Sequence, residues 1–208
     1  MSERTIASHA DLRGVPFTAS GAEAVRQFDE AIASYLGFRR DTGDHLDRAL
    51  SADPDFAMAH CARGYFLKLF VDRALDGRIA DALAAAERSA EERGASRRER
   101  DHIAALSAWH AGDWQTALEC WERILLDHPL DVLALKLSNH LYFYLGDSLN
   151  VRDSVARVLY AWNEETPGHG FVLGMYAFGL EECGDYMDAD AVGQKAIEIN
   201  PADIWAIH

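Results

Sequence analysis

Histidine is the residue type in this chain best suited to chemistry. An internal repeat places His102, His140 and His208 at positions that we expect to face a groove. Imidazole titrates near neutral pH and is the commonest metal ligand in proteins, so such a set could bind a metal or act as a general base. However, no pair has the H-x-x-x-H or H-E-x-x-H spacing that brings two ring nitrogens to one metal. We therefore expect each histidine to bond separately to a neighbouring helix, and we predict no metal site.

The motifs of several common enzyme classes are missing from the sequence. It contains no G-x-S-x-G, G-x-x-x-x-G-K-[ST] or G-x-G-x-x-G, so nucleophilic-serine and phosphate-binding chemistry have no motif to support them. Cys61, Cys120 and Cys183 lie far apart without C-x-x-C spacing. This favours buried thiols in a reducing compartment over a disulfide framework or a zinc site. We expect no catalytic residue, no enzymatic activity and no cofactor.

The chain is strongly acidic. Its 208 residues include 34 acidic and 20 basic side chains, which gives a formal net charge of −14. Such a chain repels phosphate backbones and anionic lipid, so we expect no nucleic-acid partner and no membrane partner. The N-terminal segment lacks the apolar core of a signal peptide, and no stretch reaches the roughly 18 apolar residues of a membrane helix. The sequence therefore predicts a cytoplasmic protein.

Two markers recur along the chain with one period. Proline follows Asp53, His128 and Asn200, and the three prolines are 75 and 72 residues apart. A second marker, Gly-Asp, begins at 112, 146 and 184, which are 34 and then 38 residues apart. Both spacings fit the 34-residue tetratricopeptide unit, a pair of antiparallel helices, counted once or twice. The sequence therefore predicts an all-α protein, a right-handed superhelical solenoid of antiparallel helix pairs with about ten helices.

The residues at and between the markers have structural reasons to recur. Glycine tolerates the left-handed conformation that ends the first helix of a unit, and aspartate then caps the second helix. A small residue such as Ala117 fits where the two helices cross, and Trp114 and Trp121 are expected to pack in the core between them. Proline is expected to open the next helix, where its missing N–H costs nothing.

The N-terminal half follows the repeat less closely. Capping boxes at residues 20–23 and 96–99 predict two helix starts. Further helices are expected over about 44–52, 55–71 and 76–93, and no segment shows the alternation typical of a strand. We predict an N-terminal extension over residues 1–19 and a single solenoid over residues 20–208.

With these phrases assembled, the chain resembles the tetratricopeptide repeat protein 38 family. The matching stretches are 52–60, 97–102, parts of 112–136, 142–146 and 152–157, and they run through nearly the whole chain. The resemblance implies a fold of stacked helix pairs and carries no catalytic assignment.

Family members are usually considerably longer and continue through further helices after the region matching Trp205–His208. Here a new helix begins close to the last residue of the sequence, whereas a solenoid needs a polar terminal cap. We therefore expect an N-terminal portion of the family fold, truncated at its C-terminal end. Alternatively, the chain completes its core as a homodimer through the uncapped C-terminal edge.

The repeat frame also predicts which side chains face the concave groove of such a solenoid. They lie on the first helix of each unit and are mostly aromatic, with histidines and few charges. The predicted binding residues are Tyr65, His102, Trp109, Lys136, His140, Phe143, Tyr144 and Phe178. Such a groove suits an apolar peptide or a small amphipathic ligand better than an acidic tail.

The sequence therefore favours a protein- or peptide-binding scaffold that uses the concave groove. The alternative is a small-molecule-binding or hydrolytic protein with a pocket lined by histidine and tyrosine. A deep pocket closed by the N-terminal helix, residues 21–36, would indicate the second function. An open groove would indicate the first.

Overall fold

Helices account for nearly all the regular structure of this protein. The computed structural model describes residues 8–201 and 203–207, and these contain eleven α-helices, two single 3-10 turns and one antiparallel hairpin. The hairpin strands are β1 (Ser8–Ala10) and β2 (Pro16–Thr18). The helices are α1 (Ala22–Leu36), α2 (Thr42–Ala52), α3 (Ala57–Lys68), α4 (Asp76–Arg93), α5 (Arg97–Ala111), α6 (Trp114–Asp127), α7 (Val132–Leu145), α8 (Ser148–Ala156), α9 (His169–Glu182), α10 (Tyr186–Ile199) and α11 (Ile204–Ile207). The predicted helical class is confirmed, but the prediction that no segment forms a strand is wrong.

The described residues fall into two compact units. The first contains residues 8–32 and 40–120, and the second contains residues 33–39, 121–201 and 203–207. In the first unit α3 packs against α2, α4 and α5. In the second unit α9 packs against α7, α8, α10 and α11. Helices that follow one another in the chain therefore pack together within each unit.

Glycine ends three helices as the repeat predicts. Gly112, Gly146 and Gly184 follow α5, α7 and α9 with φ angles of +86°, +70° and +83°. These are left-handed values that residues with a Cβ rarely adopt, so glycine is required here. These helix ends are therefore determined by local residues that can be recognised in the sequence.

The aspartate after each of these glycines caps the next helix in two of three cases. The carboxylate of Asp113 accepts a hydrogen bond from a backbone N–H in the first turn of α6, and that of Asp147 does so in α8. Asp185 makes no such bond to α10, and its carboxylate accepts a bond from Arg152 at 3.3 Å.

The repeated prolines lie in turns and do not open helices. Pro54, Pro129 and Pro201 each stand three residues before the next helix, which is α3, α7 or α11. The expectation that proline occupies the first helical position is therefore wrong. The fixed φ of proline suits a turn equally well, and α7 is capped by Asp131, which accepts the N–H of Ala134 at 3.0 Å.

The two predicted capping boxes have different outcomes. At α5 the Ser96 hydroxyl accepts the Glu99 N–H, and the Glu99 carboxylate accepts the Ser96 N–H. At α1 the Ser20 N–H donates to Asp53 at 2.7 Å, while Glu23 accepts bonds from Arg26 and another side chain of α1. The capping box at residues 96–99 is confirmed. The box at residues 20–23 lacks the bond from the Ser20 N–H to Glu23, because Asp53, which is distant in sequence, accepts that N–H.

The β1–β2 hairpin is fastened to the first unit by a buried carboxylate. Glu99 accepts hydrogen bonds from the backbone N–H and the hydroxyl of Thr18, at 2.7 and 2.8 Å. Phe17 packs against Phe28 and Phe56 with ring centroids 5.1 and 6.0 Å away. The described part of residues 1–19 therefore contributes Phe17 to the core of the first unit.

Trp114 and Trp121, predicted to pack together in the core, differ in burial. Trp121 is fully buried, as predicted, and so is Ala117. Trp114 is 37% exposed, so its assignment to the core is wrong. It is the first residue of α6, where part of the ring remains in solvent.

Candidate functional site

Three of the eight predicted binding residues lie together in the core of the first unit. Tyr65, His102 and Trp109 are all buried. The Tyr65 hydroxyl donates a hydrogen bond to the backbone carbonyl of His102, and its ring lies 6.2 Å from that of Trp109. Side chains enclosed in this way pack the interior and offer no surface to a partner in this conformation.

The other five predicted residues lie together in the second unit. Four of them join two further aromatic residues in a set of rings that we call the aromatic cluster: Phe38, His140, Phe143, Tyr144, Phe178 and Trp205. Neighbouring ring centroids are 5.4 to 6.1 Å apart. The rings come from the segment after α1 and from α7, α9 and α11, so the fold of this unit assembles them.

One side of the aromatic cluster is open to solvent. Phe143 is 40% exposed and Tyr144 is 47% exposed, and Phe38 is exposed to a similar degree. Single exposed rings are common on protein surfaces, but rings from separate elements in mutual contact form a patch. Aromatic side chains of this kind are enriched where proteins bind one another.

The fifth residue, Lys136, lies beneath the rings and is only 3% exposed. Its Nζ is 4.1 Å from the centroid of the Trp205 ring, within the range of a cation–π interaction. Burial lowers the pKa of Lys136 to about 7, and the nearby carboxylate of Asp203 opposes that shift. Burial and the positive charge of Lys136 together lower the pKa of His140 to about 4.

Asp203 uses its two carboxylate oxygens differently. Oδ1 accepts the backbone N–H of Trp205 at 3.0 Å and so caps α11. Oδ2 is buried and has no hydrogen-bond partner among the described residues. A Cβ at Gly174 would lie 2.3 Å from Oδ2, so only glycine in α9 leaves room for the carboxylate. Burial raises the pKa of Asp203, although Lys136 and the backbone bonds favour its charged form.

A small pocket lies between Lys136 and the rings. Its lining comes from α7, α9 and α11 and consists of Lys136, Asn139, His140, Phe143, Met175, Phe178 and Trp205. Its volume is about 10 Å³, close to what a single water molecule requires. The pocket in this conformation therefore cannot hold a metabolite-sized ligand.

A larger groove runs beside it between α9, α10 and α11, and we call it the α9–α11 groove. It has a volume of about 350 Å³ and is lined by Ala177, Phe178, Glu181, Tyr186, Ala189, Asp190, Gly193, Gln194, Ile197, Trp205, Ala206 and Ile207. Its lining combines aromatic, aliphatic and small residues, and its two charged residues are both acidic. Phe178 and Trp205 belong to this groove and to the aromatic cluster, so the two surfaces are continuous.

The histidines do not form a metal centre in the described part of the chain. His102 and His140 lie in different units, and His208 lies outside the described residues. No group of three or more His, Cys, Asp or Glu side chains among the described residues could hold a metal ion. Within the same residues, no helix combines the length and apolarity needed to cross a bilayer.

The repeat frame did not predict most of the residues that line the α9–α11 groove, nor Phe38, Asp203 and Trp205. Phe38 lies in an irregular segment outside the repeat frame, with a positive φ of 52°. Asp203 did carry a signal, because Asn200-Pro201-Ala202-Asp203 parallels His128-Pro129-Leu130-Asp131, where the aspartate is a helix cap. Trp205 follows from the same alignment as a residue in the first turn of the next helix.

No protein-family model matches this chain, and no solved structure matches it.

Proposed function

We propose that the chain is a binding module, which presents the aromatic cluster and the α9–α11 groove to a segment of another protein. The observation that carries this proposal is the continuity of the two surfaces. Exposed rings at Phe143 and Tyr144 lead through Phe178 and Trp205 into an open groove of about 350 Å³. Large rigid rings beside a groove supply the anchoring contacts that dominate binding energy in protein interfaces.

The charges of the groove indicate the chemistry of the partner. Glu181 and Asp190 are the charged residues of its lining, and the whole chain carries a formal net charge of −14. Complementary charge favours encounter with a basic segment and disfavours an acidic one. We propose a partner segment with apolar side chains for the groove and flanking Lys or Arg for the carboxylates.

The proposal includes the finer architecture that the sequence predicts. Gly112, Gly146 and Gly184 each end one helix just before the next begins, which supports a tetratricopeptide-like solenoid, and the resemblance to the tetratricopeptide repeat protein 38 family supports the same arrangement. In such solenoids helix pairs create extended binding surfaces. A cytoplasmic location and a homodimer through the C-terminal edge remain predictions of the sequence.

The second candidate, a small-molecule-binding or hydrolytic protein, would use the pocket at Lys136. Trp205 lies over Lys136 and contacts Phe38, in the segment that follows α1. However, ligand sites for drug-sized molecules usually enclose about 300 Å³ or more, and this pocket has about 10 Å³. The volume of the pocket at Lys136 therefore does not support the second candidate.

The proposed function is tested by selecting from a random peptide library displayed on phage. We expect the wild-type chain to enrich sequences with aromatic or aliphatic anchors and basic flanks. The double variant Phe143→Ala/Tyr144→Ala should lose most of this binding, because both exposed rings are removed. Tyr160→Ala is the matched control, since Tyr160 is equally aromatic, 79% exposed and outside both surfaces. Enrichment of no peptide, or equal loss in the control, would contradict the proposal.

A further inference from the structure

We propose that the partner segment enters the α9–α11 groove as an amphipathic α-helix in one register, with a Lys or Arg at Asp190 and an apolar anchor at Ile197. Because it concerns the same groove, this inference rests on the proposed function, to which it adds the conformation of the partner and the order of its anchors. The two ends of the groove differ in chemistry, and this difference determines the register.

One end of the groove is acidic and uncovered. Tyr186 and Asp190 lie in the first two turns of α10, and Glu181 lies in the last turn of α9, so all three are near the turn that joins these helices. All three side chains are exposed. Among the described residues neither carboxylate is in an ion pair, since Lys195, the basic residue of α10, pairs with Glu164 at 3.2 Å. This end therefore has two free carboxylates for a cationic side chain of the partner.

The other end of the groove is apolar and has α11 as a wall. Its lining there includes Ile197 of α10 with Trp205 and Ile207 of α11. A Cβ at Gly193 would lie 3.7 Å from the carbonyl oxygen of Ala206, so α11 packs beside the middle of α10. Ile197 lies one turn beyond that point, away from the acidic end. Apolar side chains of a partner leave water when they pack against these residues, which favours binding.

The distance between the two ends along α10 determines the spacing of the partner's anchors. Asp190 and Ile197 are seven residues apart, and Gly193 and Gln194 lie between them in the same lining. Seven residues of an α-helix span about 10 Å and return to nearly the same side. A helix that lies along α10 therefore meets both ends with side chains seven positions apart.

The walls of the groove favour a helical partner over an extended one. A buried extended segment needs partners for its backbone N–H and C=O groups, and β-strand addition takes them from the edge of a sheet. The described strands, β1 and β2, belong to the first unit, and the groove is lined by helices, whose backbones bond internally. An α-helix satisfies its own backbone and presents anchors at i, i+3, i+4 and i+7.

Small residues form the floor of the groove. Ala177, Ala189 and Gly193 line it where α9 and α10 pack together, and all three are buried. The groove volume of about 350 Å³ equals that of about a dozen water molecules in the liquid. This space accommodates the anchor side chains of a helix and leaves the opposite face of that helix in solvent.

The register is tested with designed helical peptides of about 14 residues in an Ala- and Gln-rich background. The matched peptide carries Lys at i and Leu at i+4 and i+7. The control has the same composition with Lys at i−2, on the opposite face, and a third peptide has the matched spacing with a central Pro. Fluorescence anisotropy measures affinity, and circular dichroism measures helix formation on binding. We expect the control to bind about threefold more weakly than the matched peptide and the Pro peptide about tenfold or more.

A charge exchange locates the basic anchor. Asp190→Lys should remove the preference for the matched peptide, and replacing the peptide Lys by Glu should restore binding to this variant. The restored binding also shows that the variant is folded.

The outcomes separate this inference from the proposed function. If library-selected peptides bind but tolerate a central Pro, or if the matched and control peptides bind equally, the proposed function stands and the helical register is overturned. Absence of binding by every peptide would overturn both. Self-association that Asp190→Lys abolishes would then assign the groove to a second copy of the chain.

Discussion

Lys136 shows how far a single residue can be interpreted from its position in a repeat. The repeat frame predicted that it faces a binding groove, together with His140, Phe143, Tyr144 and Phe178. The structure brings those five residues together. However, Trp205 covers the amine, and a ring contributed by a later helix is a tertiary contact that no local pattern of residues around 136 encodes. Tyr65 and Trp109 are likewise buried by contacts between residues that are distant in sequence.

The buried amine of Lys136 predicts a specific pH dependence of stability. The pKa of Lys136 is about 7 in the folded chain, whereas an unfolded chain has the ordinary lysine value of 10.5. Between these pH values the unfolded chain therefore binds more protons than the folded chain. Stability contributed by this group therefore rises as pH increases through that window. Relative to Lys136→Met, we expect the wild-type free energy of unfolding in urea to increase between about pH 7 and about pH 9.5. A constant difference between the two proteins would show that the amine keeps its ordinary pKa.

Two tryptophans on one helix provide a matched test of burial. Trp121→Ala removes a fully buried ring and should cost about 3–5 kcal/mol of unfolding free energy. Trp114→Ala removes a ring that is 37% exposed and should cost about 1 kcal/mol or less. Chemical denaturation measures both values, and similar costs would mean that the two rings have similar environments.

At the scale of elements, local sequence signals predicted the ends of helices. Contacts between residues distant in sequence determine the position of the β1–β2 hairpin, which was not predicted. The sequence predicted a helix over about 76–93, and α4 covers Asp76–Arg93, because periodicity and capping are local properties. The β1–β2 hairpin was missed because each strand has only three residues. Glu99 and Phe17 hold the hairpin through contacts distant in sequence, which patterning does not reveal.

Neighbouring helices of the second unit give opposite predictions for the same substitution. A Cβ at Gly179 of α9 would lie 2.5 Å from the Cα of Arg152 in α8, so Gly179→Ala should destabilise by about 1–3 kcal/mol. A Cβ at Gly193 of α10 would meet its nearest atoms at 3.7 Å, an ordinary contact distance. Gly193→Ala should therefore stabilise by up to about 1 kcal/mol through helix propensity.

Thermal and urea unfolding of the two glycine variants can be compared directly with the wild type. A stabilising Gly179→Ala would mean that α8 and α9 do not approach as closely as the structure describes. A destabilising Gly193→Ala would mean that another part of the chain lies closer to Gly193, in the α9–α11 groove, than the structure describes.

At the scale of the whole molecule, the sequence predicted the all-helical class of fold. The two markers, Gly-Asp and proline, are spaced as helix pairs, and the described residues do form consecutive helices. The sequence could not locate the α9–α11 groove, since its walls combine three helices. Self-association also stays a prediction, and size-exclusion chromatography over a dilution series will test it, with an unchanged elution volume contradicting a dissociating dimer.

The most direct test of the proposed binding surface is the affinity of a library-selected basic peptide for two charge-reversal variants, measured by fluorescence anisotropy. Asp190→Lys changes a residue that lines the α9–α11 groove, and Asp188→Lys makes the same charge change at an exposed position of α10 outside that lining. We expect Asp190→Lys to weaken binding about tenfold, or about 1.4 kcal/mol, and Asp188→Lys to change it by less than about threefold. Equal effects of the two variants, or none from either, would contradict binding in the groove.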